Sequence, residues 1–223
     1  MKKKILIVTS TRAEYGIISG ILKELKKFDN IDFKLLVTGT HLLKAFGHTI
    51  KEIKGDQNVN IWPMRVLPEI LRDDDISKYF SKYILQSSRF IKKFKPDLVF
   101  VVGDRYEILA VCTSSLLNNI PIAHLHGGET TSGAFDNQIR NAISKLSHFH
   151  FVIHHEYKKK LISMGERKNQ IFNFGSPAVN NIKRIKLLKK EEIKKIAKFN
   201  VLGNYFVVTI HPETLDNKFE KNL

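Results

Sequence analysis

Three carboxylates are spaced along the middle of the chain in a way that suits acid/base chemistry. Asp104 follows the apolar run Leu98 to Val102 and a glycine, Glu129 follows the run Ile120 to Leu125 and the triplet His126-Gly127-Gly128, and Asp136 comes seven residues later. Each run is short, ends at glycine and precedes a helical pattern, which predicts a buried parallel strand feeding a loop. Asp104 and Glu129 then stand at the C-terminal ends of consecutive strands, the edge where open α/β sheets bind ligands. Carboxylates there become proton donors or acceptors when burial or mutual repulsion raises a pKa. An acid after a strand is also a common helix cap, and Asp104 alone would favour that role. Two on consecutive strands, one behind a glycine pair that lets a ligand approach backbone, favour chemistry. Asp136 is an N-cap by position, a role compatible with catalysis.

The elements needed to position these acids can be followed through the chain. Ile5 to Val8 predicts a first strand, ending in TSTRAEYG (9–16), with Ile17, Ile18, Ile21, Leu22 and Leu25 at helical spacing behind it. That loop has neither GxGxxG nor GxxxxGK[ST], which argues against a dinucleotide fingerprint or a P-loop. Its hydroxyls, Arg12 and helix N-terminus suit a phosphate or a sugar. Phe33 to Val37 predicts a second strand, with His41 just past its end, and Val59 to Trp62 a short third. Asp73 to Asp75 suit the start of a helix over Ile76 to Phe94 better than a metal site. Helices are expected over Arg105 to Leu117, Asp136 to Leu146 and Glu156 to Met164, and further strands over Phe149 to Ile153 and Ile171 to Phe174. The alternation predicts an α/β fold with a doubly wound, mostly parallel, Rossmann-like sheet.

Residues 1–182 are expected to form this Rossmann-like, catalytic half. Residues 183–203 are expected to be a basic helical linker. Residues 204–223, with a strand at Tyr205 to Ile210 leading into His211-Pro212-Glu213-Thr214, look like the start of a truncated second domain. The formal net charge of +15, from 37 Lys+Arg against 22 Asp+Glu, reads as solvated lysine faces. No aromatic-interleaved basic stripe accompanies it, so a nucleic-acid partner is not expected. A positive field would still gather a phosphorylated small substrate. The single cysteine, Cys112, is expected as core filler in a reducing compartment. No run reaches membrane-spanning length, and Ile5 to Val8 is too short for a signal-peptide core, so a cytoplasmic protein is expected. His124, His148 and His150 do not match a usual zinc spacing, and Ser132 lacks the GxSxG context of a nucleophile elbow.

Six stretches together resemble one family: TSTRAEYG (9–16), TGTHL followed by FGHT (38–49), GDRYEILA (103–110), HLHGGETTSGAFDNQIRNAISKLSHFHF (124–151), NFGSPAVNNI (173–182) and VVTIHPET (207–214). The chain resembles the hydrolysing UDP-N-acetylglucosamine 2-epimerases of sialic and legionaminic acid biosynthesis. The resemblance implies a GT-B-like two-domain fold with the active site between domains, of which this chain would be the N-terminal domain with the second domain truncated. It also implies a UDP-sugar substrate, no metal or other cofactor, and a homodimer. The implied reaction eliminates UDP to a glycal and rehydrates it to the free C2-epimer. Asp104, Glu129, Asp136 and His211 match the family's catalytic groups, with His211 facing the leaving group from the second domain. Arg12, Tyr15, His41, Arg105 and Gly128 match its substrate side. Since the second domain is nearly all missing, the chain is expected to have little or no epimerase activity alone. The competing expectation is a non-catalytic nucleotide-sugar-binding module.

Overall fold

The computed structural model describes residues 2–55, 59–67, 76–131 and 135–197, together with 206 and 208. Seven strands form one parallel sheet in the order β3-β2-β1-β4-β5-β6-β7. They are β1 (Lys3–Thr9), β2 (Ile31–Val37), β3 (Ile61–Pro63), β4 (Leu98–Val102), β5 (Ile122–Leu125), β6 (Phe149–Val152) and β7 (Ile171–Asn173). Between them run α1 (Arg12–Leu25), α2 (Ile50–Gly55), α3 (Ile76–Phe94), α4 (Tyr106–Leu117), α5 (Asp136–Leu146) and α6 (His155–Ser163). The direction of winding reverses between β1 and β4, so the loops after those two strands open a crevice at the sheet's C-terminal edge.

Alternate strand residues feed opposite faces. Leu6, Val8, Val99, Val101 and Ile122 pack beneath Tyr83 and Ile91 of α3 and Ile108 and Val111 of α4. Ile7, Leu35, Val37, Val102 and Leu125 pack with Ile18 and Leu22 of α1 and Ile53 of α2. Cys112 is fully buried in the first cluster. No helix among the described residues is long and apolar enough to cross a membrane.

Two further helices follow β7: α7 (Pro177–Arg184) and, within the basic stretch, α8 (Lys190–Ala197). Proline at the first helical position starts α7, and its Asn181 side chain donates to the carbonyls of Gly16 (2.7 Å) and Ile17 (3.2 Å) in α1. A Cβ on Gly20 would stand 2.0 Å from the Asn181 Oδ1, so a larger residue there would displace this side chain. Leu187 and Leu188 are exposed, and a helix that buries no face through that stretch gains little. The Asp73 to Asp75 cap, Ser132, the strand expected over Tyr205 to Ile210, and His211 lie outside the described residues, apart from positions 206 and 208.

Candidate active site

β4 and β5 are neighbours, and their C-terminal loops bring Asp104 and Glu129 to one edge of the sheet. Asp104 is not a helix cap. Helix α4 begins at Tyr106 with Arg105 as an N-cap that makes no side-chain bond, while the Asp104 carboxylate pairs with Arg140 of α5. Burial is the largest influence on Asp104 and pushes its carboxyl above the ordinary range. Arg140 pulls it back, Asp136 pushes it up, and Arg105 and Glu129 act more weakly in opposite directions. The three acids therefore share one electrostatic environment. Asp136 is the first residue of α5, not its N-cap, which is Phe135, and it still places negative charge at the helix's positive end.

Four neighbours hold this edge. His124, fully buried, donates from Nε2 to the Gly103 carbonyl (2.7 Å), so its Nδ1 accepts from the Ser144 hydroxyl (3.1 Å). Burial pushes this imidazole down to about 3, and it stays neutral. The bridge ties α5 to the loop that carries Asp104. Glu129 pairs with His126 Nδ1, and Lys160 of α6 donates to the Glu129 carbonyl (3.0 Å) and the Thr130 hydroxyl (2.7 Å). Arg140 donates a second bond to the Thr131 hydroxyl (3.0 Å), linking both acid-bearing loops through one guanidinium.

The glycine pair in HLHGGE has a packing reason at each position. A Cβ on Gly127 would lie 2.9 Å from Ser144 Oγ and 3.0 Å from His124 Nδ1. Gly128 has φ +78°, and a Cβ there would lie 2.5 Å from the Tyr157 carbonyl oxygen of α6. Gly128→Ala is expected to cost about 3 kcal/mol, combining left-handed strain with overpacking against backbone. Urea unfolding checks this, and a loss below about 1 kcal/mol would show that α6 can move away.

A second group lines the crevice at the switch between β1 and β4. Thr11 and Glu14 form a capping box at the start of α1, and buried Glu14 also accepts from the Ser10 hydroxyl (2.8 Å). Arg105 grips fully buried Glu107 with two bonds, 3.1 and 3.0 Å. Burial pushes Glu14 up to about 7, opposed by its bonds from Ser10 and aided by the Glu107 charge. An unfolded glutamate titrates near 4.5, so the folded protein binds an extra proton between there and 7, and stability falls as pH rises through that window. Glu14→Gln is expected to gain on the native chain by about 3 kcal/mol between pH 4.5 and pH 8. Urea midpoints across that range check the slope; parallel curves would contradict it.

The remaining expected site residues are placed differently from one another. Arg12 is 78 % exposed at its side chain and lies 3.8 Å from Glu52 of α2. Tyr15 meets the His41 ring edge-on at 6.4 Å. His41 is fully buried beneath the edge, 3.0 Å from the Thr9 hydroxyl and 2.7 Å from the Thr49 hydroxyl, and burial pushes it down to about 4. The turn Gly39–Leu42 directs its side chain inward. The expectation omitted Glu14, His126, Arg140 and Lys160. Two of them had local signals: Thr11-x-x-Glu14 is a capping-box pattern, and Arg140 lies one helical turn beyond Asp136.

A profile of the UDP-N-acetylglucosamine 2-epimerase family matches residues 23–223. The chain belongs to this family. It is 39 % identical over 220 residues to a Campylobacter jejuni protein named GDP/UDP-N,N'-diacetylbacillosamine 2-epimerase (hydrolyzing), covering 97 % of this chain and 56 % of that one. It is 36 % identical over 212 residues to the UDP-N,N'-diacetylbacillosamine 2-epimerase (hydrolyzing) of Legionella pneumophila, covering 95 % and 56 %. The fold is that of the Neisseria meningitidis UDP-GlcNAc 2-epimerase solved with UDP-GlcNAc bound, with a TM-score of 0.71 at 21 % identity, across 87 % of this chain and 51 % of that one. The chain thus spans about half the length of these relatives.

Proposed function

We propose that the chain is the acid/base half of a hydrolysing 2-epimerase acting on a UDP-2-acetamido sugar, with a UDP-diacetamido sugar favoured by the names of the Campylobacter jejuni and Legionella pneumophila relatives. The observation that carries this reading is the shared setting of Asp104, Glu129 and Asp136 around Arg140. In the reaction a base takes the proton from C2 while the C1–O bond breaks and UDP departs, leaving a glycal. Water then adds its hydroxyl to C1, and a proton is delivered to C2 from the opposite face. Proton transfer of this kind needs a carboxyl group tuned toward neutral pH, and burial, helped by the neighbouring Asp136 charge, pushes Asp104 upward here. Arg12 is exposed at a helix start, where it suits the diphosphate. Residues 1–182 would supply this wall. The region from 204 onward, with His211, would open the facing nucleotide domain, and the working form would be a homodimer.

The chain itself provides the first test. Titration with the UDP-diacetamido sugar is expected to shift the side-chain NMR signals of Arg140 and the amide of Glu129 while releasing little UDP. Shifts that spare both residues would contradict the assigned site. Steady UDP release would contradict the expectation that this half works poorly alone.

A further inference from the structure

His126 is the first residue past β5, and its amide continues the ladder by donating to the Phe151 carbonyl of β6 (3.1 Å). Its backbone is left-handed, with φ +70°. Lys95 and Asn119 share that conformation where α3 and α4 end, an ordinary place for it. His126 instead follows a strand, where a side chain carries a strain that glycine would avoid. The side chain kept there pairs through Nδ1 with Oε1 of Glu129, and the two are only 13 % and 22 % exposed. Its Nε2 is enclosed by protein and has no hydrogen-bond partner. An ionised carboxylate only accepts, so the pairing puts the ring proton on Nδ1. Nε2 is then a bare lone pair, which costs less in a buried place than an unpartnered N–H.

We propose that His126 is a positioning residue for Glu129: its Nδ1–H holds Oε1 and leaves Oε2 presented to the substrate. Two observations support this. Oε2 makes no hydrogen bond to the described residues, whereas Oε1 is held. The Glu129 backbone is fixed independently by Lys160, which donates to its carbonyl (3.0 Å) from α6. One end of the side chain and one of its two oxygens are thus anchored to the frame of the sheet. Arg140 grips Asp104 through a permanently charged guanidinium, while a single ring N–H orients Glu129. Such orientation matters because a displacement of about 1 Å at a reacting group can cost on the order of 10²-fold in rate. The inference rests on the acid/base role proposed for Glu129 in the 2-epimerase reaction.

The tautomer is read by nitrogen NMR of the 223-residue chain carrying labelled histidine. His126 is expected to show a protonated Nδ1 and an unprotonated Nε2, and Glu129→Ala is expected to shift both signals. A protonated Nε2 with a bare Nδ1 in the parent chain would overturn the inference. Turnover is read in a chimera joining residues 1–182 to the remaining part of the Campylobacter jejuni relative. His126→Ala is expected to lower kcat by about 10²-fold while KM stays within about threefold. His126→Asn keeps an amide donor and tolerates the left-handed backbone, so it should recover kcat to within about tenfold of the parent. In the Glu129→Gln background His126→Ala should cost no more than about twofold, because the histidine acts through that carboxylate. Equal losses in both backgrounds would overturn the inference, as would a His126→Ala kcat within about threefold of the parent. A parent chimera that releases no UDP counts against the proposed function, and the tautomer in the 223-residue chain then decides the inference by itself.

Discussion

Glu129→Gln is expected to slow UDP release by about 10²–10⁴-fold, the usual range for losing a positioned acid or base. The assay requires both walls of the site. It is set in a chimera joining residues 1–182 to the remaining part of the Campylobacter jejuni relative. The change preserves shape and leaves Glu129's backbone bond from Lys160 in place. The effect should therefore fall on turnover and not on folding. Asp104→Asn and Asp136→Asn are expected to fall in the same range, whereas a change at Lys145, whose ammonium pairs with Glu166 away from this edge, is expected to leave turnover within about twofold. A Glu129→Gln rate within tenfold of the parent chimera would remove Glu129 from the chemistry and leave it as a partner for His126.

Arg140→Ala is expected to cost about 3 kcal/mol at pH 7, because it strands the Asp104 carboxylate in a largely buried site beside Asp136. The pH dependence separates this cause from simple loss of packing. Asp104 already titrates above its ordinary value, and without Arg140 it titrates higher still. The folded variant then holds a proton that the unfolded chain has released, so its stability falls as pH rises from about 4 through the raised value. The deficit should be clearly smaller at pH 4 than at pH 7, as measured by urea unfolding of both proteins. A deficit independent of pH would mean that the guanidinium contributes packing alone.

The strand framework was legible because buried parallel strands leave continuous apolar runs that stop at glycine. Leu98–Val102 matches its predicted limits residue for residue. Pairing decides where the signal is weak: β3 occupies Ile61–Pro63, opposite Leu35 to Val37, and not the Val59 to Trp62 run expected. The acids were visible as a cluster, but their partners were not. Asp104 meets Arg140 across 36 positions, and Glu129 is held by Lys160 from the next helix, contacts that only the folded sheet creates. The surroundings of His41 were not legible either: Thr49, eight residues on, and Thr9 of β1 complete a buried hydroxyl pair around it. Amphipathic composition in the basic segment does not reveal where a helix finds its packing partner, which here is the α1–α7 contact at Asn181 and Arg184.

The most direct test of the acid/base assignment is the reaction of the chimera with the UDP-diacetamido sugar in deuterium oxide, followed by NMR of the free sugar. The account predicts UDP release together with one deuterium at C2 of the epimerised product, and loss of both in Glu129→Gln. A folded chimera that releases UDP but leaves hydrogen at C2 with unchanged configuration would contradict it, because the edge built by β4, β5 and α5 would then be hydrolysing the substrate without moving the C2 proton.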